Sequence, residues 1–214
     1  MSEENSMKSS ISFLALPLLC ICAATVAFGQ ATPKPSNLTL QNLETAFNGE
    51  SNAHARYFAF AEEADQEGYF QIAGLFRAAA KAEGIHANNH EAEIKRLGGT
   101  AQAKIEKPDV KSTKENLQAA IKGETYERDV MYPDFYKQAR AVGDAGAVQT
   151  FNYARGAETE HAALFTNALG NMETMRVKGV TYYVCTVCGY TTTNMDFAKC
   201  HTCYSSKDKY VAVS

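Results

Sequence analysis

Arg155-Gly-Ala-Glu-Thr-Glu-His-Ala-Ala-Leu-Phe165 (RGAETEHAALF) has a helical composition, yet it sets two carboxylates and an imidazole among alanines. Residues three apart share one face of an α-helix, so Glu158 and His161 address a single point. Glu160 lies about 200° around the wheel from Glu158 and faces away. One Glu-x-x-His is common by chance in helices. A second copy stands at Glu83-Gly-Ile-His86, and the surroundings of the two copies match. Gly49-Glu50 precedes Glu83 by 33 residues, Gly123-Glu124 precedes Glu158 by 34, and Phe76 and Phe151 each stand seven residues before their glutamate. This internal repeat predicts two helix hairpins related by pseudo-symmetry.

Helical periodicity extends outward from these marks in four segments. The first runs from about Thr39 to Glu67 and stops before Gly68. The second runs from Phe70 to Leu97 and stops at Gly98-Gly99. A polar connection containing Pro108 follows. Ser112-Thr-Lys-Glu115 is a capping-box pattern that opens the third segment, which continues to about Val142. Pro133 has no N–H to give residue 129 and is expected to kink or bulge this helix. Gly143 breaks it, Asp144 can cap the fourth, and that helix reaches about Met172. Short loops make the helices of each hairpin antiparallel, and the longer middle connection can cross a four-helix bundle. From Lys178 the texture changes to β-branched and aromatic residues, TYYVCTVCGYTTT, which read as short strands.

If the four apolar stripes meet, Glu50, Glu83, His86, Glu124, Glu127, Glu158 and His161 converge in the core. Each buried charge costs several kcal/mol and like charges repel, so the cluster needs compensation. Two metal cations would supply it. Mixed carboxylate and imidazole donors suit iron or manganese, with zinc a further choice. His54 and His90 lie on the same faces as Glu50 and His86 but have no ligand-type counterpart in the other repeat, so both are expected at the periphery. Tyr57 returns to the face of Glu50 two turns on, where it could hydrogen-bond a ligating carboxylate or simply pack. Tyr132, beside the proline, has the same two readings.

Cys185-Thr-Val-Cys188-Gly-Tyr and Cys200-His-Thr-Cys203 are two Cys-x-x-Cys knuckles separated by eleven residues. Each knuckle can point two thiolates at one ion, Gly189 permits close backbone approach, and four sulfurs suit zinc or iron. A segment of this size holds little core, so the metal would supply much of its folding free energy. Two disulfides are the alternative in an oxidising compartment.

That compartment is raised by the first thirty residues. Met7-Lys8 precedes the apolar run Ile11–Phe28, with small residues at Ala27 and Gly29, as in a secretory signal cleaved after Gly29. Residues 1–29 are therefore expected to be a signal peptide and 30–37 a linker, with the protein exported, in the periplasm. The alternative is a membrane anchor formed by residues 11–28. Cleavage would remove Lys8, Glu3 and Glu4, leaving 20 basic and 22 acidic residues, and would leave four of the six cysteines. This mixed, mildly acidic balance argues against a nucleic-acid surface, and cleavage would leave no membrane span.

The chain resembles the rubrerythrin family over about residues 38–210. The resemblance rests on GESNAHARY (49–57), EGIH (83–86), GETYE (123–127), MYP (131–133), ETEH (158–161), CTVCGY (185–190) and Lys207-x-x-Tyr210. It implies a mainly α fold, with a ferritin-like di-iron four-helix bundle over 38–172 and a small rubredoxin-like β domain over 178–214. By position, Glu50, Glu83, Glu124, Glu127, Glu158 and His161 would ligate two irons. His86 would alternate with Glu127 as the oxidation state changes, and Tyr57 and Tyr132 would hydrogen-bond ligands. Cys185, Cys188, Cys200 and Cys203 would hold one electron-transferring iron, although His201 stands where rubredoxin-type knuckles carry proline and leaves zinc open. The activity implied is reduction of hydrogen peroxide to water, fed by an unidentified electron donor, in a head-to-tail homodimer. A ferroxidase or iron-handling protein, and a non-enzymatic protein with structural zinc, are the competing readings.

Overall fold

The computed structural model describes residues 37–214. The signal-peptide and anchor readings lie outside the described residues, as does all of the linker but residue 37. Helix α1 spans Asn37–Gln66 and α2 spans Phe70–Arg96. The third helix has three parts: α3 (Thr113–Tyr126), a π-helical turn (Glu127–Met131) and α4 (Tyr132–Ala141). Helix α5 spans Ala145–Gly170 and is followed by a 3-10 turn, Met172–Arg176. The fold is mainly α, a ferritin-like four-helix bundle with a small three-stranded module after it.

Local chemistry accounts for the boundaries. At the end of α2 the Gly98 N–H reaches Lys95 O and the Gly99 N–H reaches Ile94 O, which uses up carbonyls the helix leaves free. Gly98 sits at φ +82, a left-handed conformation in which a Cβ is costly. Ser112 and Glu115 form the reciprocal capping box at the start of α3, and the Asp144 side chain accepts from the Ala147 N–H at the start of α5. Just ahead of Pro133 the Tyr132 N–H reaches back five residues to Glu127 O. The extra residue takes the form of a π turn, as such insertions often do near functional sites.

Each long helix passes from one apolar cluster through a polar layer into another. On one side lie Tyr57, Phe60, Phe76 and Phe165 with alanines of α1 and α2. On the other lie Leu43, Ile94, Tyr132 and Phe151. Phe76 and Phe151 therefore sit at opposite ends of the layer, as expected for repeat-related positions on helices that run in opposite directions. Each such buried ring contributes about 1.5–3 kcal/mol, which lets the bundle carry a polar layer between them.

The carboxy-terminal module is an antiparallel sheet of order β2-β1-β3, from β1 (Tyr182–Cys185), β2 (Thr191–Thr192) and β3 (Tyr210–Val213). Val184 pairs with Thr191 on one side and Val211 on the other. The module docks on α2 and α5. Asn89 donates to Val187 O, Arg77 donates to Ser214 O, and the Tyr182 hydroxyl donates to Gln71 O. None of the described helices is long and apolar enough to cross a membrane.

Candidate metal centre

The polar layer holds Glu50 from α1, Glu83 and His86 from α2, Glu124 from α3, and Glu158 and His161 from α5, all buried. Their ligand atoms form two groups that share Glu83 and Glu158. Glu50, Glu83, His86 and Glu158 make one, and Glu83, Glu124, Glu158 and His161 make the other. Within each group the atoms lie within 4.8 Å of one another. His86 Nδ1 is 2.9 Å from both Glu83 Oε2 and Glu158 Oε1. His161 Nδ1 is 2.8 Å from Glu158 Oε2 and 3.5 Å from Glu124 Oε2. Glu127, the seventh expected ligand, opens the π turn, is half-buried and belongs to neither group. Glu160 also stays out; it is half-buried and lines a surface cleft with Tyr190 and His201.

Glu50, Glu124, His86 and His161 are each held on the far side by a partner that aims them inward. The Tyr57 hydroxyl donates to Glu124 Oε1 at 2.5 Å, and the Tyr132 hydroxyl donates to Glu50 Oε1. Both tyrosines thus hydrogen-bond carboxylates of the layer. The cysteine module orients the two histidines. His86 Nε2 is 3.0 Å from Cys188 O, and His161 Nε2 is 3.0 Å from Thr191 Oγ1. A carbonyl only accepts, and the Thr191 hydroxyl already donates to Gly189 O, so each Nε2 carries a hydrogen. Nδ1 of each ring is thereby directed at the carboxylates, the arrangement that second-sphere partners impose on metal-binding imidazoles.

Without cations the layer balances its charge by holding protons. Burial, then the negative charge of Glu83, pushes Glu50 up to about 8. Burial and the charges of Glu158 and Glu83 hold Glu124 well above the usual carboxylate range. Burial disfavours charge on His86 and His161, but Glu158 and the carboxylate hydrogen bonds hold both well above the ordinary imidazole value. Burial likewise opposes ionisation of Glu83 and Glu158, yet the two histidines hold both carboxylates below the ordinary value. Three buried oxygens of the layer, Glu50 Oε2, Glu83 Oε1 and Glu124 Oε2, have no hydrogen-bond partner. Such atoms are costly unless something binds them. Carboxylate and imidazole donors of this kind fit two divalent cations.

The four cysteines form a second site. Cys185 Sγ and Cys203 Sγ are 3.6 Å apart, and Cys188 Sγ and Cys200 Sγ are 3.5 Å apart. These separations are too long for disulfides, and all four are free. A tetrahedral ion with bonds of about 2.3 Å would set its sulfurs roughly 3.8 Å apart, close to what is found. Hydrogen bonds to Cys185 and Cys188 hold the Cys200 thiol far below its ordinary value, while contacts with Cys185 and Cys200, then burial, drive Cys188 up. Such crowded sulfurs fit a cation that takes all four as thiolates.

His90, like His54, belongs to neither ligand group, but it is fully buried and bonds the Tyr132 hydroxyl and the Thr150 hydroxyl. Its position four residues after His86 placed it on the face of the site, and its hydrogen bond to Tyr132 links it to the layer without making it a ligand. His54 does stay outside the layer, with Nδ1 on Ala80 O. Thr191 and the Cys188 carbonyl had no signal in the sequence, because they reach the histidines only through docking of the module.

Comparisons with known proteins agree with this geometry. The family model described as Rubrerythrin matches residues 41–169. Nigerythrin of Nitratidesulfovibrio vulgaris is 37% identical over 175 residues, covering 81% of this chain and 86% of that protein. Rubrerythrin-2 of Clostridium acetobutylicum is 37% identical over 183 residues, covering 82% and 96%. The solved structure described as the fully reduced, all-ferrous state of nigerythrin superposes with a TM-score of 0.77 at 33% identity, covering 94% of this chain and 100% of that one. The match spans both the carboxylate layer and the four-cysteine module. By its sequence, its fold and its two metal sites, this chain belongs to the rubrerythrin family, with a di-iron site in the bundle and a rubredoxin-like iron site after it.

Proposed function

We propose that the protein reduces hydrogen peroxide to water at the bundle site, with electrons entering through the four-cysteine iron. The observation that carries this reading is the placement of His86. Its Nδ1 faces the carboxylates while its Nε2 bonds the carbonyl of Cys188, itself a thiolate donor of the second site. One side chain therefore joins the two metal sites. Glu50 and His86 would hold one iron, Glu124 and His161 the other, and Glu83 and Glu158 would serve both. Glu127 would exchange with His86 as the oxidation state changes. When bound, the two irons would supply the two electrons that peroxide reduction needs, and a cysteine-bound iron would return them one at a time.

The chain's own residues do the rest. Burial of the layer keeps bulk water away from the reacting atoms, which strengthens every interaction there. Tyr57 and Tyr132 pin the outer oxygens of Glu124 and Glu50 and hold hydroxyl protons beside the site. Reduction of peroxide to two waters consumes two protons, and these hydroxyls are the donors nearest the layer. The cysteine module packs on the bundle of its own chain, which supports an electron path inside one subunit. A head-to-tail homodimer is a separate part of the proposal, tested by sedimentation. The apolar run and small residues before Gln30 support an exported protein, tested by finding Gln30 at the mature amino terminus.

Stopped-flow mixing of the anaerobically reduced, iron-quantified protein with peroxide and, separately, with oxygen tests the activity. Peroxide is expected to oxidise the bundle irons much faster than oxygen does. Equally slow oxidation by both would refute it, and preference for oxygen would point to a ferroxidase.

A further inference from the structure

Peroxide reduction consumes protons, yet the layer is sealed from solvent. One hydrogen-bonded chain leads out of it. The Tyr132 hydroxyl donates to Glu50 Oε1. Its oxygen lies 3.0 Å from His90 Nε2, and His90 Nδ1 lies 3.0 Å from Thr150 Oγ1. Thr150 lines a cleft of about 300 Å³ at the protein surface, together with Asn89, Glu93, Gln149, Tyr153 and Val187. Tyr132 and His90 are fully buried, and His90 is held between the rings of Tyr132 and Phe151.

The direction of the chain follows from its inner end. Tyr132 spends its only proton on Glu50, so its oxygen must accept from His90 Nε2–H. His90 is fully buried and its two partners are hydroxyls, with no carboxylate to hold a second proton, so the ring is neutral and carries a single N–H, and burial lowers its pKa in the same sense. Nδ1 is then an acceptor, and the Thr150 hydroxyl must donate to it. Every hydrogen in the chain points inward.

We propose that Thr150, His90 and Tyr132 form a proton relay that carries protons from the Thr150 cleft to Glu50 at the di-iron site. In one passage the Tyr132 proton moves to Glu50 Oε1, the His90 Nε2 proton moves to the Tyr132 oxygen, and the Thr150 proton moves to His90 Nδ1. Thr150 Oγ regains a proton from a hydronium ion in the cleft, leaving water. One proton enters, one arrives, no electron moves, and no relay member is left charged. His90 emerges with its hydrogen on Nδ1, so one passage delivers one proton. Thr150 and His90 touch neither ion nor substrate, so they are relay residues rather than catalytic ones.

This inference rests on the peroxide-reducing activity for its purpose but not for its geometry, and two measurements separate the two. The first is the tautomer of His90, read by nitrogen NMR of ¹⁵N-histidine-labelled protein loaded with diamagnetic zinc. Hydrogen on Nε2 with a bare Nδ1 is expected, and the Nδ1 resonance should shift in Thr150→Val but not in Thr150→Ser. Hydrogen on Nδ1, or a resonance indifferent to Thr150→Val, overturns the relay whether or not the protein reduces peroxide. The second is peroxide turnover of the iron-loaded variants. Thr150→Val should slow it about tenfold or more at unchanged iron content, with Thr150→Ser restoring it, a smaller loss than the roughly 10²–10⁴-fold that a directly acting proton-transfer group contributes. Wild-type turnover in Thr150→Val overturns the relay. If the wild-type protein consumes no peroxide, the proposed activity fails and the tautomer measurement alone decides the relay.

Discussion

Metal loading of the bundle site should expel a countable number of protons. In the cation-free protein, burial and mutual repulsion hold protons on Glu50 and Glu124, and the surrounding carboxylates hold a second proton on His86 and on His161. Glu83 and Glu158 are already ionised, because those imidazolium charges hold them low. Two divalent cations need every donor deprotonated. Filling the six converged groups therefore releases about four protons at pH 7. The sign follows: protons compete with metal, so affinity falls with acid. With four protons released, the product of the two association constants rises about 10⁴-fold per pH unit, or roughly 5 kcal/mol shared between two ions. The slope should begin to flatten near pH 8, where Glu50 loses its proton even without metal. The assay is titration calorimetry of ferrous iron, under anaerobic conditions, into protein whose cysteine site is already filled and whose bundle site is empty. Repeating it in buffers of different ionisation enthalpy gives the proton count directly. Release of one proton or none would refute the charge balance. A fifth proton that disappears in Glu127→Gln would show Glu127 joining the ligands on loading, since burial of its carboxyl raises its pKa well above the ordinary carboxylate value.

Two further outcomes follow from the same geometry. Glu158→Ala removes the one carboxylate that lies within 2.9 Å of both His86 Nδ1 and His161 Nδ1. Iron analysis should show the bundle ions lost while the visible absorption of the four-cysteine iron persists; undiminished total iron would refute the ligand assignment. Gly189→Ala should unseat the cysteine module from His86. A Cβ there would lie 2.3 Å from His86 Nε2, and the residue sits at φ +80. The positive φ alone costs about 1–2 kcal/mol. Thermal unfolding should shift down and re-reduction of the bundle irons should slow; neither changing would refute the close approach.

Much of the fold was legible because it is written in local chemistry. Ser112 with Glu115, Asp144, and the glycines after α1 and α2 mark boundaries through bonds made within a few residues, so their signal survives in one dimension. The doubled Glu-x-x-His was legible for a related reason, since helical geometry alone puts residues three apart on one face. Pro133 likewise announced a break in the third helix, because a missing N–H is a property of the residue itself. What Pro133 could not announce was the form of the break. The π turn decides where the Tyr132 hydroxyl falls, and so which carboxylate it meets.

His90 shows where such reasoning stops. Helical spacing placed it beside His86, but whether a histidine is a ligand, a bystander or a link depends on what faces it from other helices. Tyr132 and Thr150 reach it from 42 and 60 residues away. The same holds for the partners of His86 and His161 in the cysteine module. The sequence by itself determined which residue types share a helix face, where the helices start and stop, and that the four cysteines form two Cys-x-x-Cys knuckles. Only the tertiary structure decided that the cysteine module sets the tautomers of both bundle histidines, that Glu127 stands outside the converged donors, and that His90 is part of the site's hydrogen bonding. The physical reason is distance along the chain. Caps, turns and face-sharing pairs are made by neighbours, whereas the direction of a buried hydrogen bond is set by whichever group packing brings opposite it.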